Sequence, residues 1–181
     1  AWMASQVAAQ IHDLRRRGQG LAAFVADSLF TSDGVFALDP ECLAPTIDIV
    51  RKAGGVFVAD EVQSGFARSG GHMWGYQRFG VVPDIVTMGK PMGNGYPVAG
   101  IAVRPRVAEA FGNDMRYFNT FGGNTVAMAA ARATLDVIEQ EQLQANCAAV
   151  GAQLRDGLED LATQDERIGD VRGAGLYYGV E

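Results

Sequence analysis

Four short, continuous apolar runs constrain this chain most: Leu21 to Ala26, Val56 to Ala59, Ile85 to Met88 and Val98 to Val103. None alternates polar with apolar residues, so each reads as a strand buried on both sides. Segments with helical spacing lie around them. Residues 2–17 place Val7, Ile11 and Leu14 on one face and stop at Gly18, and residues 41–53 form a helix closed by Gly54 and Gly55. Pro105 to Phe111 opens with proline in its first turn. Asn124 to Glu139 is alanine-rich and strongly helical, and Gln142 to Thr163 is amphipathic. This alternation predicts an α/β fold, a mainly parallel sheet with helices on both faces. Ligands of such sheets bind beyond the carboxyl ends of the strands. Asp27, Asp60 and Lys90 all fall there.

Lys90 follows the third run in the glycine-rich turn Gly89-Lys90-Pro91-Met92-Gly93-Asn94-Gly95. An amine held at the end of a buried strand sheds water, which frees it as a nucleophile toward a carbonyl. Thirty positions earlier, Val58-Ala59-Asp60-Glu61 sets an acid at the end of another strand. An aldehyde cofactor built on a pyridine ring needs this pair: an amine for the aldehyde, and a carboxylate that keeps the ring nitrogen protonated. The pair points to pyridoxal phosphate. Taken alone, Asp60 would read as a turn or N-cap aspartate; beside Lys90 at a matching strand end, the cofactor role is preferred. Glu61 points the other way and is expected to be structural. Gln63 lies within reach of the cofactor's phenolic oxygen or is a plain loop residue. Tyr117-Phe118-Asn119-Thr120-Phe121-Gly122-Gly123-Asn124 offers a hydroxyl, two glycines and a helix N-terminus, a phosphate cradle. The same residues equally make an ordinary cap with Asn124, and spacing does not separate the two.

Other chemistries are poorly supported. The net charge of −6 and a basic run no longer than Arg15-Arg16-Arg17 argue against nucleic acid. That triplet fits a helix C-terminus, where cations are favoured. No apolar stretch is long enough to span a bilayer. His12 and His72 are isolated, so a metal site is not expected. Gly89-Lys90 is followed by Pro91 rather than Ser or Thr, which excludes a P-loop. Cys42 and Cys147 have no metal-ligand spacing and read as reduced thiols of a cytoplasmic protein. With 181 residues, 48% hydrophobic and 20% charged, the chain belongs to the globular soluble class. It opens on Ala1 rather than Met and stops at Glu181 inside a strand-like run, so a piece of a longer protein is expected, incomplete at both ends. Residues 1–163 are assigned to one large domain, and residues 164–181 to the start of a small C-terminal one, after the polar stretch Gln164 to Arg167.

Three segments, in this order, closely resemble the class III pyridoxal-phosphate aminotransferases. They are Val58-Ala59-Asp60-Glu61-Val62-Gln63-Ser64-Gly65-Phe66-Ala67-Arg68-Ser69-Gly70, then Pro83-Asp84-Ile85-Val86-Thr87-Met88-Gly89-Lys90, then Thr120-Phe121-Gly122-Gly123-Asn124. The turn after Met88 is nearest to the branch containing alanine–glyoxylate aminotransferase 2-like enzymes and ethanolamine-phosphate phospho-lyase. The resemblance implies the large domain of a fold-type-I enzyme working as a homodimer. It makes Lys90 the Schiff-base lysine, Asp60 the ring-nitrogen partner, Gln63 the phenolic-oxygen partner and Thr120 a contact to the cofactor phosphate of the other subunit. Asp27 lies where the family has a longer glutamate near the substrate, and Ala67 replaces a usual glycine. Family members are much longer. By the resemblance, the portion before this chain carries the first phosphate loop and the ring that stacks on the pyridine. The portion after it carries much of the small domain.

The implied activity moves an amino group from an amine or amino acid to a keto acid or aldehyde, with Lys90 carrying the proton. Two alternatives remain open: a phospho-lyase of the same fold acting on a phosphorylated amino alcohol, and a non-catalytic association domain of a larger protein. The intact Asp60–Lys90 pair argues against the last.

Overall fold

The computed structural model describes residues 2–181. In order, α1 (Trp2–Arg16), β1 (Ala23–Asp27), α2 (Leu43–Lys52) and β2 (Val56–Asp60) are followed by β3 (Ile85–Met88) and β4 (Gly100–Val103). Then come α3 (Pro105–Asp114), α4 (Thr125–Gln140), α5 (Leu143–Gln164), β5 (Val171–Ala174) and β6 (Tyr177–Val180). Strands β1 to β4 form one sheet in chain order, and β5 pairs with β6 in a separate one. The pairs β1–β2 and β2–β3 are parallel, while β4 returns antiparallel to β3. The mainly parallel α/β architecture is the one the apolar runs require.

Side-chain alternation divides the sheet into two faces. Phe24 and Ala26 on β1 stand beside Phe57 and Ala59 on β2, and this face packs on α2 through Leu43 and Ile47. Phe57, Leu43 and Val50 are fully buried. Each such side chain contributes about 1.5–3 kcal/mol by leaving water. The opposite face carries Val25, Asp27, Val58, Asp60, Ile85 and Thr87. It stays more open among the described residues: Val25 is 60% exposed, and Ile101 on β4 is 65% exposed. Helices α4 and α5 pack on each other, and α5 on β5. Strand β4 begins at Gly100 rather than Val98, after the turn that the Tyr96 N–H closes on the Gly93 carbonyl. No helix among the described residues is long and apolar enough to cross a membrane.

The amino end of β3 is tied down by Asp84, whose side chain is completely buried. Asp84 Oδ2 accepts from the Phe57 N–H at 3.0 Å and from Arg51 Nε and Nη2, both at 3.2 Å. Oδ1 accepts from Arg106, and Arg104 Nε lies 3.6 Å away. One carboxylate thus joins α2, β2, β3 and the start of α3. Burial pushes its pKa up, but the Phe57 N–H and the Arg106 and Arg51 guanidinium groups outweigh that and hold it below the ordinary 3.8. A depressed carboxyl stabilises the fold above the unfolded value, and the contribution is lost as pH falls through the folded one. In the full-length protein, Asp84→Ala is expected to lose about 3 kcal/mol at pH 7, measured by denaturant unfolding. The difference from wild type should shrink as pH drops below 3.8. An unchanged unfolding midpoint at pH 7 would show that the arginines do not depend on this carboxylate.

Candidate active site at the carboxyl end of the sheet

Parallel register brings the strand ends into one row, Asp27 beside Asp60 and Asp60 beside Thr87, all on the open face. Asp60 Oδ1 accepts from Thr87 Oγ1 and from the Val62 N–H, each at 3.1 Å. Its Oδ2 has no hydrogen-bond partner among the described residues. One oxygen is therefore fixed and the other is left for a ligand donor.

Two residues beyond β3, Lys90 follows the buried Gly89 into a turn closed by the Met92 N–H donating to the Gly89 carbonyl at 2.7 Å. The turn puts Lys90 in a cavity of about 260 Å³ with Gln63, Arg68, Asn94 and Tyr177. Here the structure departs from the expectation of an amine shut in an apolar strand end. Lys90 is exposed and β3 is half-buried along its length, because β3 and β4 present their second face to open space.

Gln63 occupies the same cavity, its amide held from both sides by Thr31 and Tyr177. Asp27 sits at the expected strand end, but its carboxylate serves its own turn. It accepts from the Leu29 N–H at 2.9 Å, the Thr31 N–H at 3.0 Å and the Thr31 hydroxyl. Thr120 is exposed and does not line the Lys90 cavity. Asn124 is the N-cap of α4, its Oδ1 accepting from the Ala127 N–H at 2.9 Å. Asn119 holds the glycine turn through the Phe121 and Gly122 N–H groups. Among the described residues no cluster of His, Cys, Asp or Glu is built to hold a metal ion.

Glu61 turns to the other face, as strand alternation requires, and is fully buried. Four donors converge on it: Ser28 Oγ at 2.5 Å, Ser64 Oγ at 3.2 Å, the Gly75 N–H at 2.6 Å and the Tyr76 N–H at 2.9 Å. The approach is close enough that a Cβ on residue 75 would lie 2.8 Å from Ser28 Cβ, so only glycine fits. Burial pushes the Glu61 pKa up, and the four donors recover only part of that. Thr31, Thr87, Arg68 and Tyr177 were not marked by sequence reasoning. Thr87 could have been found from alternation, since it shares a face with Asp60 in the neighbouring strand.

A model of the family "Aminotransferase class-III" matches residues 3–181. The alanine–glyoxylate aminotransferase 2 homolog 2, mitochondrial, of Arabidopsis thaliana is 48% identical over 161 residues, covering 89% of this chain and 33% of that protein. Ethanolamine-phosphate phospho-lyase homolog 1 of Caenorhabditis elegans is 41% identical over 173 residues, 94% of this chain and 37% of that one. A solved structure of a phospholyase from Arthrobacter in complex with phosphoethanolamine superposes with a TM-score of 0.95 at 42% identity. It covers 98% of this chain and 42% of that one. The chain therefore spans about a third of the length of the curated relatives it matches.

Glu61 yields a pH test of opposite sign to that of Asp84. Its raised folded value means that the folded chain keeps a proton which the unfolded chain releases above the ordinary 4.5. Stability from this group is full below 4.5 and falls as pH climbs toward the folded value. Glu61→Gln in the full-length protein should abolish that slope. It should also cost about 1–3 kcal/mol at low pH, since an amide nitrogen then faces donors. A slope retained in Glu61→Gln would place its origin in another group.

Proposed function

The chain belongs to the class-III aminotransferases, and from that membership we propose that the whole protein is a pyridoxal-phosphate-dependent transaminase. It moves an amino group between an amine or amino acid and a keto acid or aldehyde. The observation that carries this reading is an Asp60 whose second oxygen is unpartnered at the end of β2, with Lys90 just beyond the end of the neighbouring β3, in the cavity that Gln63 also lines. Members of the family use pyridoxal phosphate, and the donor set fits it: an amine for an aldehyde, a carboxylate for a ring N–H, and an amide for a phenolic oxygen. Bound there, the cofactor supplies a sink for the electrons released at the substrate Cα.

This chain's residues do the rest. Lys90 Nζ would hold the cofactor at its aldehyde and, as a free amine, would move the proton at the substrate Cα. Asp60, oriented by Thr87 and Val62, keeps the ring nitrogen protonated without having to reorganise. Gln63 meets the phenolic oxygen. Thr120 serves the phosphate of a partner subunit's cofactor in a homodimer. Supporting the homodimer, Tyr117, Phe118 and Phe121 are 71%, 86% and 79% exposed in one segment, an apolar patch suited to an interface. The separate pairing of β5 with β6 supports residues 164–181 as the start of a small domain. Free thiols at Cys42 and Cys147 fit a reducing compartment such as the cytoplasm.

A second reading has its own support. The superposition on the Arthrobacter phospholyase and the identity to the Caenorhabditis elegans homolog favour elimination of phosphate from a phosphorylated amino alcohol. The same Lys90 proton transfer would serve, with phosphate leaving from the adjacent carbon. Full-length protein supplied with pyridoxal phosphate separates the two. Amino transfer from a panel of amines and ω-amino acids marks the first, and inorganic phosphate released from ethanolamine phosphate marks the second.

Lys90→Ala is expected to abolish both turnover and the visible absorbance of bound cofactor in the full-length protein. The other lysine, Lys52, lies in the last turn of α2. Asp60→Ala should keep the absorbance but slow turnover roughly 10²–10³-fold, about 3–4 kcal/mol of barrier. Near-normal turnover at saturating cofactor would return Asp60 to a turn role.

A further inference from the structure

A wall of the Lys90 cavity comes from the far end of the chain. Tyr177 on β6 donates its hydroxyl to Gln63 Oε1 at 3.1 Å. Gln63 Nε2 donates to Thr31 Oγ1 at 2.6 Å and to Ser32 Oγ at 3.3 Å. The Thr31 hydroxyl donates to Asp27 Oδ2. The last member fixes the direction of the whole chain. A carboxylate only accepts, so the single hydrogen of Thr31 goes to Asp27 and its oxygen accepts from Gln63. The amide nitrogen must therefore face Thr31, and the amide oxygen faces Tyr177, which donates.

We propose that Tyr177 is a positioning residue for the cofactor: through Gln63 it orients and polarises the amide that meets the phenolic oxygen. This rests on the reading of Lys90, Asp60 and Gln63 as cofactor partners. Donation to an amide oxygen strengthens its N–H groups as donors, and bonds in a one-way chain reinforce each other. Of the two hydrogens on Nε2, one is committed to Thr31. The other, on the longer contact to Ser32, is the one available to a phenolic oxygen. Tyr177 is itself held in place. The Leu176 N–H donates to the Arg68 carbonyl at 3.0 Å, and Arg172 Nε donates to the Gly34 carbonyl at 2.8 Å. Gly175, at φ +59°, sits where any Cβ would overlap the Gly70 nitrogen and the Arg68 carbonyl. The charged groups around the amide are Lys90 and Arg68 across the cavity, and Asp27 beyond Thr31. The relay thus couples the hairpin β5–β6 to the end of β1 through Gln63, the member of the relay that would touch the cofactor.

The test follows the visible absorbance of bound cofactor against pH in the full-length protein, for wild type, Tyr177→Phe, Gln63→Leu and the double variant. A donor on the phenolic oxygen weakens that oxygen's hold on the proton it shares with the Lys90 nitrogen. Losing the support of Tyr177 therefore raises the pH midpoint. The expected shift is about half a pH unit upward for Tyr177→Phe, larger for Gln63→Leu, and no greater in the double variant than in Gln63→Leu. Thr31→Val reads the relay from its other end and should also shift the midpoint upward, while Thr31→Ser keeps it. This pair decides the matter if Tyr177→Phe does not fold. An unmoved midpoint, or a Tyr177→Phe shift that persists undiminished without Gln63, overturns the relay and leaves the pyridoxal-phosphate reading standing. A wild-type protein without Lys90-dependent absorbance overturns both.

Discussion

The loops that carry this site are held to the sheet by a carboxylate shut away from water. Glu61 is fully buried, and a lone charge there would be prohibitive. What makes it tolerable is the geometry of its donors, one from the loop after β1, one from its own loop, and two backbone N–H groups from Gly75 and Tyr76. Ser28 Oγ and the Gly75 N–H, both in buried residues, have no other acceptor among the described residues, so the loss of Glu61 would leave them unpaired. Since Asp60 is the adjacent residue, whatever fixes Glu61 also fixes the backbone that aims Asp60. The two acids divide the work by the two-residue period of the strand: one inward and structural, the other outward with an oxygen to spare.

A different carboxylate does the equivalent job at the amino end of β3. Asp84 gathers Arg51, Arg104 and Arg106, which are 35%, 40% and 61% exposed at their side chains, around a buried centre. The positive charge at that end is thus spent on architecture. At the carboxyl end, Lys90 and Arg68 have no salt-bridge partner within 4.0 Å among the described residues, and both line the cavity. The contrast locates chemistry better than net charge does, because −6 over the whole chain averages the two ends away.

The strand and helix positions and the row of strand-end acids were legible because they depend on local patterns. Continuous apolar runs, Pro105 at the first turn of α3 and the positive-φ Gly54 after α2 each act within a few residues. The cap at Asn124, made to the Ala127 N–H, was not separable from a phosphate cradle in the sequence, since the same residue types serve both. The exposure of Lys90 was hidden for another reason: burial is set by what packs on the second face of the sheet, which a strand's own residues do not encode. Tyr177 lies 114 positions from Gln63, and no periodicity links them. Asp27 was found at the right place, but its hydrogen-bonding capacity is taken by a turn that depends on Thr31.

The loop between Gln63 and Arg68 is where local rules are broken. Phe66 and Ala67 both adopt the left-handed region, at φ 59° and 65°, without being glycine. Such backbone costs of the order of 1 kcal/mol per residue and persists only where the surroundings over-determine it. Here they do. The Ala67 N–H donates to the Met73 carbonyl at 3.0 Å, its own carbonyl accepts from the Gly70 N–H, and the Phe66 ring meets Trp74 edge-on at 5.2 Å. Both residues are buried, so the strain is offset by packing rather than relieved by motion. The methyl of Ala67, where the resemblance sets a glycine, further narrows the backbone choices of the unfolded loop. The result is a loop that delivers Gln63 and Arg68 to the Lys90 cavity in one conformation, which an amide reading a single oxygen requires.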